Sequence, residues 1–222
     1  MRRLIVLSLL GFAVMNAASA QESKWPAFAE LPVQKELPDP LTTFAGKKVT
    51  TPEAWFKQRR PELVELFEHY MYGTAPPAPE NTTFTVERTE EDYFGGKATL
   101  REVTVKFGPE ACPPIRLLVV VPNNRPAPAP VFVGLNFHGN HTLLEDPKIA
   151  LPTAWVRGGS PGPTGSPAAE AGRGTRAEAW SLEQTIDNGF AAVTFFSGDV
   201  DPDRPDFTDG VHPHFFAEGQ TS

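Results

Sequence analysis

The sequence predicts an α/β fold in which antiparallel strands lead into a parallel βαβ unit. Apolar and polar residues alternate around residues 84–86 and 103–107, which is typical of half-buried antiparallel strands. Two continuous apolar runs follow, over residues 115–121 and 131–137. A helical pattern then precedes a last apolar run over residues 190–196. Strand, helix and strand in that order imply parallel strands joined by a right-handed crossover.

The N-terminus has the pattern of a secretory signal peptide. Arg2-Arg3 precedes an apolar run over residues 4–14, and Ala18-Ser19-Ala20 follows as a cleavage site of small residues. The apolar run is shorter than the roughly 20 residues that a membrane-spanning helix needs, although a signal anchor is the alternative. We therefore expect residues 1–20 to be removed near Ala20-Gln21. The mature protein would be periplasmic or secreted, with no membrane segment.

Size, charge and cysteine content limit the possible domain number, partners and disulfides of the mature protein. We expect residues 21–222 to form one domain, because about 200 residues suffice for a single core. The net charge is -7 and no basic run follows the leader, which argues against nucleic acid or an anionic membrane as a partner. Cys112 is the only cysteine, so an internal disulfide is excluded. We expect a monomer whose stability depends on packing.

The first regular element is predicted to be a helix after an extended, proline-rich segment over residues 21–50. Thr51 has the N-cap position and Pro52 the first turn. Pro61 is expected to restart or kink this helix, and Gly73 to end it. Apolar residues recur at spacings of three and four and predict one apolar face, formed by Leu63, Val64, Leu66, Phe67, Tyr70 and Met71.

The remaining elements follow from turns and continuous apolar runs. Gly95-Gly96 predicts a turn between the first two strands. The runs over residues 115–121 and 131–137 predict strands buried on both faces. A helix is predicted over residues 176–188. Between the second of these strands and the helix lies a loop over residues 138–175, which is long enough to be functional.

A polar cluster directly follows the strand that ends near residue 137. In open α/β sheets, ligands bind at the carboxyl ends of the strands. In α/β hydrolases, the loop at this place donates a backbone N–H to the oxyanion hole, a contribution of about 3 kcal/mol. The alternative is that the histidines only pin the loop through hydrogen bonds. The candidates for the substrate-binding or oxyanion loop are Asn136, His138, Gly139, Asn140 and His141.

A second polar cluster follows the last strand, over residues 197–203. Its spaced carboxylates suggest calcium, but an EF-hand that starts at Asp199 would place Arg204 where Gly is required and Gly210 where Glu is required. A turn capped by aspartates is the better interpretation. We assign Asp199 and Asp201 to the cleft wall.

The five-residue run Gly210-Val211-His212-Pro213-His214 adds His212 to the predicted cleft wall. Together with His138 and His141 it suggests zinc, but the spacing matches no established ligand motif. We therefore expect neither a metal nor another cofactor.

The run Gly158-Gly159-Ser160-Pro161-Gly162 matches the nucleophile motif G-x-S-x-G. The motif requires a preceding strand, a following helix and a backbone N–H on the residue after the serine. Pro161 has no N–H, and the sequence after it does not favour a helix. Ser160 is therefore not expected to be a nucleophile, and no catalytic residue is identifiable in this chain.

Several stretches together resemble a known family. The most specific are Asn136-Phe137-His138-Gly139-Asn140-His141-Thr142 and Gly198-Asp199-Val200-Asp201-Pro202-Asp203. They are accompanied by Leu37-Pro38-Asp39-Pro40-Leu41, Trp55, Arg59-Arg60-Pro61-Glu62-Leu63, Tyr72-Gly73 and Asn188-Gly189-Phe190-Ala191. This set resembles the bacterial glucuronoyl methylesterases of carbohydrate esterase family fifteen, over most of the mature chain.

The resemblance implies an α/β-hydrolase-like sheet and a serine esterase that cleaves 4-O-methyl-glucuronoyl esters between xylan and lignin. It implies a polysaccharide or lignin-carbohydrate ester as the substrate. The family's serine lies in a Gly-Cys-Ser-Arg-x-Gly motif, and this serine, the acid and the histidine all follow the matched region. The chain would thus be the N-terminal part of the esterase domain, truncated before the nucleophile elbow and inactive alone.

One departure and two alternatives accompany the resemblance. Ala179 stands before Trp180, where the family commonly has Arg, which affects local substrate contacts. An acetyl xylan esterase of the same fold and a non-catalytic carbohydrate-binding remnant are the alternatives. Trp155 is expected near the cleft, where it could stack on sugar. A half-sheet with an uncovered strand edge is not expected to fold alone.

Overall fold

The computed structural model describes residues 25–156, 170–205 and 208–216. The predicted signal peptide and Ser160 lie outside these residues. The chain divides into two compact units, Met1–Ala75 and Pro76–Ser222. Within the described residues, no helix has both the length and the apolar character to cross a membrane.

The first unit contains the predicted helix, which spans four consecutive segments. The hydroxyl of Thr51 accepts a hydrogen bond from the backbone N–H of Ala54 at 3.1 Å, which confirms the N-cap. Because Pro61 has no N–H to donate, the helix widens into a π-helical stretch just before it. Gly73 ends the helix with a φ of 69°, as predicted. The segments are α1 (Pro52–Ala54), a π-helix (Trp55–Arg59), α2 (Arg60–Phe67) and a second π-helix (Glu68–Tyr72).

A buried arginine joins this helix to the extended segment before it. The Nε of Arg59 donates to the carbonyl of Pro40 at 3.0 Å, and its Nη1 donates to Glu62 at 3.1 Å. The guanidinium also lies 4.7 Å from the ring centre of Phe44. The predicted apolar face is only partly buried: Leu63, Leu66 and Tyr70 are half-buried, whereas Val64, Phe67 and Met71 are exposed.

The second unit is built on a five-stranded sheet with the order β1-β2-β3-β5-β4. The first three strands and β5 pair antiparallel, whereas β4 and β5 pair parallel, as the sequence predicted. Gly95 and Gly96 form the turn between β1 and β2, both with positive φ. The strands are β1 (Thr83–Tyr93), β2 (Ala98–Lys106), β3 (Ile115–Pro122), β4 (Val131–Asn136) and β5 (Ala191–Phe196).

The connection from β4 to β5 carries the helices of this unit. A 3-10 turn (Asn140–Leu143) follows β4, and two short helices, α3 (Ala177–Trp180) and α4 (Leu182–Asp187), precede β5. The prediction of one helix over residues 176–188 is therefore wrong in one respect. Ser181 adopts a left-handed conformation with a φ of 43° and breaks the helix in two.

The core lies between the sheet and this connection. On β3, Leu118 and Val120 are fully buried, whereas the alternate residues Leu117, Val119 and Val121 are partly exposed. The predicted burial of this strand on both faces is thus corrected to burial on one face. The core cluster comprises Ala98, Leu100, Leu118, Val120, Leu143, Leu144, Ile149, Leu182, Ile186 and Ala192.

Strand β4 differs most from the sequence prediction. It is an edge strand with β5 as its single neighbour among the described residues. Phe132 and Val133, which point to opposite faces, are 61% and 68% exposed. The predicted burial of residues 131–137 on both faces is wrong for this structure, because Val131, Phe132, Val133 and Leu135 are all exposed. Trp180 and Phe190 lie beside the strand but leave these side chains open to solvent.

Candidate functional site

The carboxyl ends of β4 and β5 lie side by side because the two strands are parallel. A cavity of about 210 Å³ opens there, which we call the strand-end cavity. Its walls come from the loop after β4 and the turn after β5, joined by an aromatic side chain from the long loop. The lining residues are Phe137, His138, Trp155, Phe196, Ser197, Gly198 and Asp203. Trp155 therefore lies at the cleft, as the sequence predicted.

Asn136, the last residue of β4, organises the loop beside this cavity. The residue is 3% exposed. The amide Nδ2 donates to Asn140 Oδ1 at 2.8 Å and to Thr194 Oγ1 at 3.1 Å. The amide Oδ1 accepts from the backbone N–H of Gly139 at 2.7 Å and, more weakly, from that of His138 at 3.3 Å. Asn136 thus holds the loop that carries the predicted substrate-binding residues.

The N–H groups of the predicted oxyanion loop already have an acceptor within the loop. Those of His138 and Gly139 both donate to the side chain of Asn136 in this structure. An N–H that donates to an oxyanion must point to the place where the reacting oxygen develops its charge. The assignment of this loop to substrate or oxyanion binding stays a prediction, and in this structure both N–H groups make hydrogen bonds within the loop.

The hydrogen-bond network continues across the sheet to the turn after β5. Asn140 Nδ2 donates to the backbone carbonyl of Arg116 at 2.9 Å. The backbone N–H of Arg116 in turn donates to Asp199 Oδ2 at 3.0 Å. Residues from β3, the loop after β4 and the turn after β5 are thereby linked, although the three segments are far apart in the sequence.

Asp199 is a buried carboxylate, with only 5% of the residue exposed. Burial raises its pKa above the ordinary value, and the hydrogen bond from the Arg116 N–H partly opposes that rise. Asp199 lines a second cavity that adjoins the first, and its assignment to the wall of a substrate cleft stays a prediction. The structure makes it an internal side chain of the wall rather than a solvated one.

We expect Asp199→Asn to stabilise the protein at pH 7 and above. A raised folded-state pKa means that the folded protein binds more protons than the unfolded chain between the two pKa values, so stability falls as pH rises through that window. The amide keeps an acceptor for the Arg116 N–H and removes the buried charge. Thermal melts should show a higher Tm for the variant at pH 7, with the difference vanishing below about pH 4, near the ordinary aspartate pKa.

Asp201→Asn is the matched control for this prediction, because Asp201 is partly exposed. We expect its Tm to stay close to that of the unchanged protein at both pH values. A lower Tm for Asp199→Asn at pH 7 would contradict the prediction.

The two histidines of the loop have different environments. His138 lines the strand-end cavity, and burial together with the nearby Arg176 lowers its pKa, which favours the neutral ring. His141 is 1% exposed and packs beneath the loop, where its carbonyl accepts from the N–H of Gly174. His138 is therefore available to a ligand in the cavity, whereas His141 is buried and does not line it.

The other predicted cleft residues form a separate pair. His212 Nε2 lies 3.3 Å from Asp201 Oδ2, and both side chains are partly exposed. The contact is a close approach without hydrogen-bond geometry. Neither residue lines the strand-end cavity, so the structure does not bring them together with His138.

Sequence reasoning missed the contributions of Thr194 and Arg116. Thr194 supplies a hydroxyl from the middle of β5, and Arg116 acts through its backbone. Neither residue belongs to a motif, so no local signal identifies it. Within the described ranges 25–156, 170–205 and 208–216, no three His, Cys, Asp or Glu side chains form a group that could hold a metal ion.

The sheet and the cavity at its parallel strand ends define the class of fold, which is that of the α/β hydrolases. The chain is 39% identical, over 83% of its length, to a carbohydrate esterase from an unknown prokaryotic organism, of which it covers 43%. It superposes on a glucuronoyl esterase from Solibacter usitatus with a TM-score of 0.75 and 32% identity, covering 87% of this chain and 49% of that one.

A second solved structure is also similar to this chain. It is a promiscuous esterase of carbohydrate esterase family 15 from a marine bacterial metagenome, with a TM-score of 0.68 and 36% identity over 87% of this chain and 48% of that one. No protein-family model matches the chain. The predicted resemblance to family 15 esterases is confirmed, and the chain spans about half the length of the relatives it matches.

Proposed function

We propose that the protein carrying this chain is a serine-type carboxylic ester hydrolase that acts on uronate esters of polysaccharides. The observation that carries the proposal is the strand-end cavity, which lies at the carboxyl ends of β4 and β5 on a sheet similar to that of glucuronoyl esterases. His138 and Trp155 contribute a neutral polar ring and a flat apolar surface to this cavity, a combination suited to an uncharged sugar ester.

The proposed mechanism is acyl transfer through a serine, a histidine and an acid. The histidine takes the serine proton, the serine attacks the uronate ester carbonyl, and the alcohol leaves with a proton from the histidine. Water then releases the uronic acid and regenerates the serine. We propose that all three groups come from residues outside this chain. The chain would contribute the cavity wall and the fixed loop that follows β4.

The test uses protein expressed from the complete reading frame and benzyl glucuronate as substrate. We expect release of glucuronic acid and benzyl alcohol, with little release of acetate from acetylated xylan. Ser160→Ala should leave the rate unchanged, because Pro161 cannot donate an N–H to an oxyanion. No hydrolysis of either substrate by a folded protein would contradict an esterase function. Faster release of acetate would favour an acetyl esterase.

Export is part of the proposal, since polysaccharide esters of plant cell walls lie outside the cell. We propose that residues 1–20 are removed and that the mature protein begins at Gln21. We also propose that it acts as a monomer.

A further inference from the structure

A second cavity, the outer cavity, adjoins the strand-end cavity. It has a volume of about 320 Å³ and shares Trp155 and Gly198 with its neighbour, so the indole is a wall common to both. The outer cavity lies on the β3 side, because the residues just before β3 line it. None of the five residues predicted to form the substrate-binding or oxyanion loop lines it.

The wall of this cavity combines apolar rings with charged side chains. Pro113, Pro114 and Pro202 present rigid rings, and Trp155 adds an aromatic face. Arg204 and Asp209 lie in the same wall and form an ion pair, with Nε and Nη2 at 2.8 and 2.5 Å from one carboxylate oxygen. Such a wall combines stacking surfaces with hydrogen-bonding groups.

A pyranose ring matches this arrangement because it has C–H groups on its faces and hydroxyls around its edge. The faces stack on proline and indole rings, and the hydroxyls bond to charged side chains such as guanidinium and carboxylate. A plain aromatic ring would use the apolar surfaces but would leave the charged groups without hydroxyl partners.

The charge of the cavity favours a neutral ligand. Asp199 and Asp209 line it together with one cation, Arg204, so the wall carries no excess of positive charge among its described residues. A free uronate would bring a further negative charge close to these carboxylates, which disfavours binding.

We infer that the outer cavity binds an uncharged sugar residue of the polysaccharide main chain, beside the esterified uronate in the strand-end cavity. The inference rests on the proposed function. It assigns Trp155 a contact with two neighbouring sugars and gives Arg204 and Asp209 a role in substrate binding that does not involve the reacting ester.

Calorimetric titration of xylohexaose, a neutral oligosaccharide without an ester, tests this site in protein from the complete reading frame. We expect saturable binding, weakened at least tenfold by Trp155→Ala and by Arg204→Met. Asp209→Asn keeps the shape of the wall and should weaken binding severalfold. Lys97→Met is the control, since Lys97 forms an ion pair with Glu183 and neither residue lines the cavity, so this change should leave the Kd unchanged.

The outcomes separate this inference from the proposed function. Xylohexaose binding without hydrolysis of benzyl glucuronate would support the sugar site and contradict the esterase activity. Hydrolysis without xylohexaose binding would overturn the sugar site. Binding of benzyl alcohol with no binding of xylohexaose would overturn it as well, and so would xylohexaose binding that none of the three variants weakens.

Discussion

Residues 21–222 expressed alone should aggregate instead of giving a monomer that melts cooperatively. The reason is β4, which has exposed apolar side chains on both faces and one open edge among the described residues. An exposed, flat and apolar edge strand pairs readily with other chains. Size-exclusion chromatography and thermal melts check the expectation, and a soluble monomer with a cooperative melt would contradict it.

A charge placed on β4 should have opposite effects in the short and the complete protein. In residues 21–222 alone, Val133→Lys should increase the soluble fraction severalfold, because a lysine on an edge strand blocks pairing with other chains. In protein from the complete reading frame, we expect the same variant to lose about 2–4 kcal/mol of unfolding free energy, since the added residues would bury the new charge.

The matched control for this pair of measurements is Val33→Lys. Val33 is exposed and lies outside every strand, so we expect no change in solubility or stability in either protein. If Val133→Lys were neutral in the complete protein, β4 would remain an open edge there. That outcome would contradict our interpretation of its apolar faces.

Asn136→Leu should destabilise the protein from the complete reading frame by about 3–5 kcal/mol. The change leaves the backbone N–H of Gly139 and the side chains of Asn140 and Thr194 without the partner that Asn136 supplies, and each buried group costs about 1–3 kcal/mol. Urea titration measures the loss. We also expect slower hydrolysis of benzyl glucuronate, because the loop that carries His138 loses its anchor.

Asn188→Leu serves as the control for this prediction. The amide of Asn188 is exposed and donates to the carbonyl of Gln184, so we expect a loss of less than about 1 kcal/mol. An equal loss of unfolding free energy in the two variants would contradict the prediction, because it would show that the buried hydrogen bonds of Asn136 stabilise the protein no more than the exposed one of Asn188.

Much of the fold is readable in the sequence because it depends on neighbours along the chain. The alternation in β1 and β2, the glycine turn at Gly95-Gly96 and the helix start at Thr51 are all local preferences. The break at Ser181 escaped prediction. Its left-handed conformation is unusual for a serine, and the apolar spacing continues on both sides of it.

The candidate site was predictable in position but only partly in the roles of its residues. The rule that ligands bind at the carboxyl ends of parallel strands placed the loop after β4 and the turn after β5 at one edge of the sheet. It did not distinguish His138, which lines the cavity, from His141, which is buried beneath the loop. Two histidines three residues apart carry the same local signal.

The sequence by itself determined that antiparallel strands precede a βαβ unit and that the chain resembles family 15 esterases, because these features depend on periodicity and on short motifs. That Ser160 is not a nucleophile stays a prediction, which rests on the missing N–H of Pro161. Only the tertiary structure decided that β4 is an exposed edge and that Asn136 anchors the loop through Thr194. Burial and hydrogen bonding between distant segments depend on which strands become neighbours in the sheet. An apolar run in the sequence does not indicate whether another element covers the strand that it forms.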